Sequence, residues 1–238
     1  MKRPSVHAME GCDRFEKPPA GDTLFERGAD VDALAAMHHA LEYFPTPPWA
    51  VRALMGLLPH LTGAPGVVLE PACGRGHIMA PLREMGFNVH GCDIHDHGIG
   101  AKLGDFTDPD WVELLGAWAE HLPNGLQMVI TNPPFGLAET FIRNGLMLSS
   151  DVFVLCRLSF LCAGGRCALH SEHLQAVYVF TERPAMVLGR YDPGASTATE
   201  YAWFHFKRET CSDWPYPLLI HIPPGTRERC FRREDVRI

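Results

Sequence analysis

An α/β chain with a doubly wound, mostly parallel sheet is what this 238-residue sequence predicts, and three observations carry that reading. From residue 66 onward, short apolar runs alternate with helix-length segments, the pattern of strands buried on both faces by crossing helices. The first run, Val67-Val68-Leu69, passes into a glycine turn, Glu70-Pro71-Ala72-Cys73-Gly74-Arg75-Gly76, with a helix-length segment directly behind it. The second run ends in Gly91-Cys92-Asp93, which puts an acidic side chain about 20 positions after the turn. A seven-stranded Rossmann-like sheet with helices on both faces follows from these features.

Along the chain, residues 1–40 are polar, carry Pro4, Pro18 and Pro19, and read as a partly disordered arm with a short helix around 29–41. Behind Phe44-Pro45-Thr46-Pro47-Pro48, residues 49–58 set Val51, Leu54, Leu57 and Leu58 at helical spacing, opened by first-turn proline. Strands are expected over 67–71, 88–94, 103–106, 127–131, 151–158, 176–181 and 200–207. Helices are expected over 77–85, 109–121, 138–148 and 164–174. Residues 41–210 thus make the main domain. Residues 211–238 are rich in proline and carry Arg227, Arg229, Arg232, Arg233 and Arg237, so they read as an extended tail wrapped on or projecting from that domain.

Composition bounds the function. With 46% hydrophobic and 21% charged residues the chain has ample material for a core. No segment reaches the roughly 18 apolar residues of a membrane span, and the first residues lack the apolar stretch of a secretory leader, so a cytoplasmic protein is expected. Eight scattered cysteines read as reduced thiols rather than a disulfide framework. The net charge of -7 argues against a nonspecific nucleic-acid coat, but it is unevenly spread. Residues 1–120 hold 9 Lys+Arg against 17 Asp+Glu, and residues 121–238 hold 12 against 11. The second half is the better phosphate-facing side.

The glycine turn brings backbone N–H groups close to a ligand at the sheet edge, and Asp93 is placed to accept from ribose hydroxyls. An adenosine-containing ligand is implied. A dinucleotide is disfavoured, because a third glycine is missing and the acidic Glu70 stands where a pyrophosphate would sit. A cationic ligand such as S-adenosylmethionine suits those carboxylates.

Further on, Gln127-Met128-Val129-Ile130-Thr131 runs into Asn132-Pro133-Pro134-Phe135. A turn explains the prolines but not Asn132 or Phe135. An aromatic amine is a poor nucleophile because its lone pair is delocalised into the ring. The Asn132 side-chain oxygen and the Pro133 carbonyl can accept its N–H bonds and favour a pyramidal nitrogen, proline rigidity holds that carbonyl, and Phe135 offers a stacking face.

These segments resemble the class I S-adenosylmethionine-dependent methyltransferases, and the tetrapeptide 132–135 is similar to the signature of their N6-adenine DNA branch. The resemblance spans about residues 44–207 and extends to small phage and prophage adenine methyltransferases. It implies S-adenosylmethionine as cofactor and DNA as partner. It assigns Glu70, Pro71, Ala72, Gly74 and Gly76 to the methionine end, Asp93 to the ribose, and Asp105 and Phe106 to the cofactor's adenine. Phe44, Thr46 and Pro47 resemble the element that closes over the methionine moiety. It further implies Asn132, Pro133, Pro134 and Phe135 as the catalytic loop, with Arg157, Arg183 and Arg190 bordering the substrate cleft. The target base is then flipped out of a duplex or taken from a single strand. RNA adenine, a protein glutamine, and a non-catalytic S-adenosylmethionine-binding module are the alternatives. A zinc reading of Cys162, Cys167, His170 and His173 is set aside because the spacing is not a standard knuckle, and no metal is expected.

Overall fold

A computed structural model of the chain describes residues 37–38, 41–209 and 216–238. The expected arm and its short helix therefore lie outside the described residues, apart from the helical Met37 and His38 and the turn that begins at Leu41.

The core is one sheet of eight strands: β1 (Val67–Glu70), β2 (Asn88–Asp93), β3 (Lys102–Leu103), β4 (Leu126–Thr131), β5 (Asp151–Arg157), β6 (Leu174–Phe180), β7 (Tyr201–Lys207) and β8 (Leu218–Ile222). Their order across the sheet is β3-β2-β1-β4-β5-β7-β6-β8, and every pairing is parallel except those of β7 with β5 and β6. This is the Rossmann-like architecture the sequence predicts, with eight strands in place of seven. The added strand is β8, which pairs parallel with β6 from Ala176↔Leu218 to Phe180↔Ile222. It falls within the segment expected to be an extended tail. The expected strand over 103–106 shortens to Lys102–Leu103, both exposed, and Asp105 and Phe106 follow it in a loop.

Helices α1 (Pro48–Met55), α2 (Pro59–Thr62), α3 (Met79–Glu84), α4 (Pro109–Glu120), α5 (Ala138–Leu148), α6 (Cys167–His173) and α7 (Thr226–Cys230) complete the fold. Alternation along the strands builds two cores, because successive side chains leave opposite faces of a sheet. Met128, Ile130, Phe153 and Leu155 join Trp49, Leu54 and Leu82 of α1 and α3. Val129, Val152, Val154 and Cys156 join Leu115, Phe141, Ile142 and Leu169 of α4, α5 and α6. Burial on both faces is why these strands read as continuous apolar runs.

The chain's end is fastened to the first helix. Arg52 of α1, 6% exposed, donates to both carboxylate oxygens of Asp235, each at 2.8 Å, and also to Glu84. Arg232 reaches the same Glu84 at 2.8 Å.

Candidate functional site

Strand β1 lies between β2 and β4, so the chain winds away from it in both directions, and a crevice opens at the carboxyl ends of these strands. A cavity of about 350 Å³ occupies it. Three chain segments wall the cavity: the turn after β1, the end of β2 with the loop after β3, and the loop after β4. A fourth, residues 41–46, crosses over it as a strap.

The strap is stitched to the turn after β1, to the loop after β4 and to Gly189. The Tyr43 hydroxyl accepts from the Arg75 backbone N–H at 3.3 Å, and the Tyr43 carbonyl accepts from Gly189 at 2.8 Å. A Glu42 carboxylate oxygen accepts from the Phe135 backbone N–H at 2.8 Å, with Glu42 itself in the left-handed region at φ 48. The Phe44 carbonyl accepts from Asn132 Nδ2 at 2.8 Å. Gly74 is required twice over: its φ is 50, and a Cβ there would stand 2.5 Å from Cε2 of Tyr43.

Two carboxylates face the cavity with opposite tendencies. Glu70 is 2% exposed and its Oε2 has no partner, so burial first and the neighbouring Asp93 charge second push its pKa well above the ordinary range. Burial works the same way on Asp93, but hydrogen bonds overcome it. Asp93 accepts from Gly74 N at 2.8 Å and His95 N at 3.0 Å, with His97 Nε2 3.7 Å away, and its pKa is lowered. One of the pair keeps a charge and the other awaits a donor. Thr46 Oγ1 and His77 Nε2 are further buried atoms without partners on residues lining the cavity. Burial, then the Arg75 charge, lowers the His77 pKa to about 4, so its ring is neutral. Buried polar groups left unpaired are costly, and a ligand with a cationic amine and further polar groups would satisfy them.

Of the residues expected to hold the cofactor, Phe44, Thr46, Glu70, Pro71, Ala72, Gly74, Asp93, Asp105 and Phe106 line this cavity. Pro47 instead precedes α1, and Gly76, at φ 84, shapes the turn by donating to the Cys73 carbonyl at 2.8 Å. Asp105 accepts from the backbone and hydroxyl of Thr107. Phe106 is buried, its ring 5.1 Å from that of Phe141.

Strand β4 delivers Asn132 and Pro134 to the cavity, with Pro133 buried behind them. Because the Phe44 carbonyl can only accept, the Asn132 amide nitrogen faces it, and the amide oxygen is left as a free acceptor. Phe135 lies just outside the cavity lining, its ring 5.7 Å from Phe44 and 6.1 Å from Tyr201. The Arg157 guanidinium covers that ring at 4.5 Å from its centroid. A base stacking on this face would displace it. Arg183 pairs with Glu200 at 2.9 Å and Arg190 with Asp192 at 3.5 Å, both largely exposed, and neither lines the cavity.

The sequence reading did not place Glu42, Tyr43, His77 or Tyr201 at the site, and it took His95-Asp96-His97 for an exposed loop after Asp93, whereas the His97 side chain is 5% exposed and lines the cavity. Glu42 and Tyr43 directly precede the Phe44 element, His77 follows Gly76 and His97 lies four residues after Asp93, so adjacency was a usable signal for those four. Tyr201 reaches the site only through the fold. Among the described residues no helix is long and apolar enough to cross a membrane.

No protein-family model matches the sequence, and no curated protein is similar to it. Solved structures are similar in fold. A Pyrococcus horikoshii protein named as a candidate RNA methyltransferase superposes with a TM-score of 0.51 at 15% identity, over 77% of this chain and 99% of that one. A modification subunit of a candidate type I restriction enzyme from Vibrio vulnificus gives 0.49 at 16% identity, over 82% of this chain and 51% of its own. What the first of these likenesses establishes is the fold: this chain shares the Rossmann-like α/β architecture of that Pyrococcus protein.

Proposed function

We propose that the chain is an S-adenosylmethionine-dependent methyltransferase acting on the exocyclic N6 amino group of adenine in DNA. The observation that carries the reading is Asn132. Its amide is oriented by the Phe44 carbonyl, its oxygen is free to accept, and it stands at a cavity where the buried Glu70 has an unpartnered Oε2.

The cofactor, when bound, supplies an electrophilic methyl group on a sulfonium whose sulfur leaves with the bonding pair. The chain's residues do the rest. Glu70 and Thr46 offer their unpartnered atoms to the amino-acid end, and Asp93 keeps lone pairs for the ribose hydroxyls although both its oxygens also bind loop N–H groups. The Asn132 oxygen and the Pro133 carbonyl accept from the two N–H groups of the adenine amine, turning its lone pair toward the donor. The amine nitrogen gains the methyl and sheds one proton to water. Phe135 receives the flipped-out or unpaired base once Arg157 moves off its ring.

Asn132→Ala should lower methyl transfer by about 10²–10³-fold, the range expected when a positioned transition-state hydrogen bond is removed, while cofactor binding by calorimetry survives. Phe135→Trp should keep part of the activity because stacking is retained. Mass spectrometry of digested DNA should show N6-methyladenine. Near wild-type transfer by Asn132→Ala, or label found only on protein glutamine, defeats the reading. RNA adenine is the second reading, favoured by the likeness to a protein named as a candidate RNA methyltransferase, and parallel assays on DNA and RNA oligonucleotides of one sequence separate the two.

A further inference from the structure

The carboxyl edge of the sheet continues past the cavity. Along β5-β7-β6-β8 that edge consists of the ends of β5, β6 and β8 and, because β7 runs the other way, of the start of β7. Arg157 ends β5 opposite Tyr201, Glu200 precedes β7, Arg183 follows β6, and Arg227 follows β8 in α7. Adjacent strands are about 5 Å apart, so the end of β6 lies roughly 10 Å along the edge from Arg157, and β8 one spacing farther.

A second cavity of about 450 Å³ opens at this far end, lined by Arg183, Ser196, Thr197, Glu200 and Arg227 among others. Arg227 is partly buried, and its guanidinium donates to the Pro193 carbonyl without a carboxylate partner among the described residues. The nearby Glu182 accepts from the Arg227 backbone N–H at 3.0 Å instead. Arg183 is held by Glu200, but that pair is about half exposed on both sides. Solvent screens such a pair so that it contributes little, and a phosphate oxygen replaces Glu200 at little cost. Arginines joined by serine and threonine hydroxyls are the groups that grip nucleic-acid phosphates. The target base itself is occupied with Phe135 and Asn132, so what reaches this point along the edge is the backbone of its neighbours.

We infer that this second cavity is a phosphate subsite for the strand carrying the target base, with Arg183 and Arg227 binding phosphates beside the methylated nucleotide rather than its own. The inference rests on the nucleic-acid substrate proposed above. Its test reads binding rather than methylation, so the two can fail separately: a chain that binds DNA through this cavity yet transfers no methyl refutes the activity and leaves the subsite standing.

The full chain is titrated with a fluorescein-labelled single-stranded DNA oligonucleotide holding one adenine, with native linkages or with uncharged methylphosphonates flanking that adenine. The double variant Arg183→Gln, Arg227→Gln should bind more weakly than wild type, with a salt slope smaller by about 0.7 for each phosphate that is no longer neutralised. Methylphosphonates should weaken binding by the wild type and leave binding by the double variant unchanged. Arg183→Gln alone, at an exposed position that folding tolerates, should show the same pattern with about half the slope change. An unaltered salt slope, or a variant as sensitive to the methylphosphonates as the wild type, overturns the subsite.

Discussion

The two ends of the sheet's carboxyl edge are built for opposite charges. At β1, β2 and β4 the cavity is covered by a strap and faced by Glu70 and Asp93, the pKa of Glu70 raised by its burial and by the Asp93 charge. At β6 and β8 the second cavity is open and lined by two arginines against one glutamate. Enclosure strengthens a single ionic contact by excluding water, whereas an open basic groove gathers several weak, salt-sensitive ones. A small cation bound tightly and a long polyanion bound loosely call for these two designs.

The most forceful way to break the comparison is to destroy the enclosed end. Gly74→Val places a branched side chain at φ 50 against the Tyr43 ring. Backbone strain and overpacking together should cost about 2–6 kcal/mol, read by urea unfolding, and cofactor binding should be lost while DNA binding at the far end persists in the folded fraction. Loss of both would show that the ends are not independent.

Acid should act on the enclosed end as well. The His77 pKa is lowered to about 4 in the fold, against 6.5 for an unperturbed histidine. Between these values the unfolded chain binds a proton that the folded chain does not. Stability from this group is therefore complete above pH 6.5 and falls as pH drops toward 4, by about 3 kcal/mol at most. Unfolding curves of wild type and His77→Asn at pH 7 and pH 4.5 isolate it; equal acid losses would remove His77 from the account.

Asp93→Ala tests the cofactor site more gently. It should weaken S-adenosylmethionine binding by about 1–3 kcal/mol, as for a hydrogen bond to a charged group, and leave the oligonucleotide salt slope untouched. Unchanged calorimetric affinity would take Asp93 out of the site.

The smallest effect sharpens the electrostatic half. With its pKa raised, Glu70 carries a proton in the free protein below that pKa, and a bound cation favours the ionised form. Binding at pH values near that raised pKa should then release protons, seen as an apparent enthalpy that varies with the buffer's ionisation heat. The variation should vanish in Glu70→Gln.

What could be read from the sequence was what adjacency records. Glu70 to Gly76 and Asn132 to Phe135 are contiguous and sit where strands end, which puts them at one edge, while Phe44, Thr46, Asp105 and Phe106 were implied only by the family resemblance, and nine of the eleven expected cofactor residues line one cavity. Strand β8 escaped notice because Leu218–Ile222 is hemmed by Pro215, Pro217, Pro223 and Pro224, and proline signals turn rather than sheet. As an edge strand whose neighbour lies on one side only, it tolerates prolines at its margins. The strap's bonds to Arg75, Asn132 and Phe135 connect positions 32 to 93 residues apart, and periodicity carries no record of such partners. Arg227 belonged to a basic run without any sign of which arginine would face a cavity.

The clasp between Arg52 and Asp235 closes a loop of 183 residues. Closing a long loop adds little to its entropic cost, since each doubling of length adds only about 0.6 kcal/mol. Interactions missing from the folding transition state leave the folding rate nearly unchanged and slow the reverse step. A clasp of that kind acts as a brake on unfolding, and its removal should then raise the unfolding rate more than it lowers the folding rate.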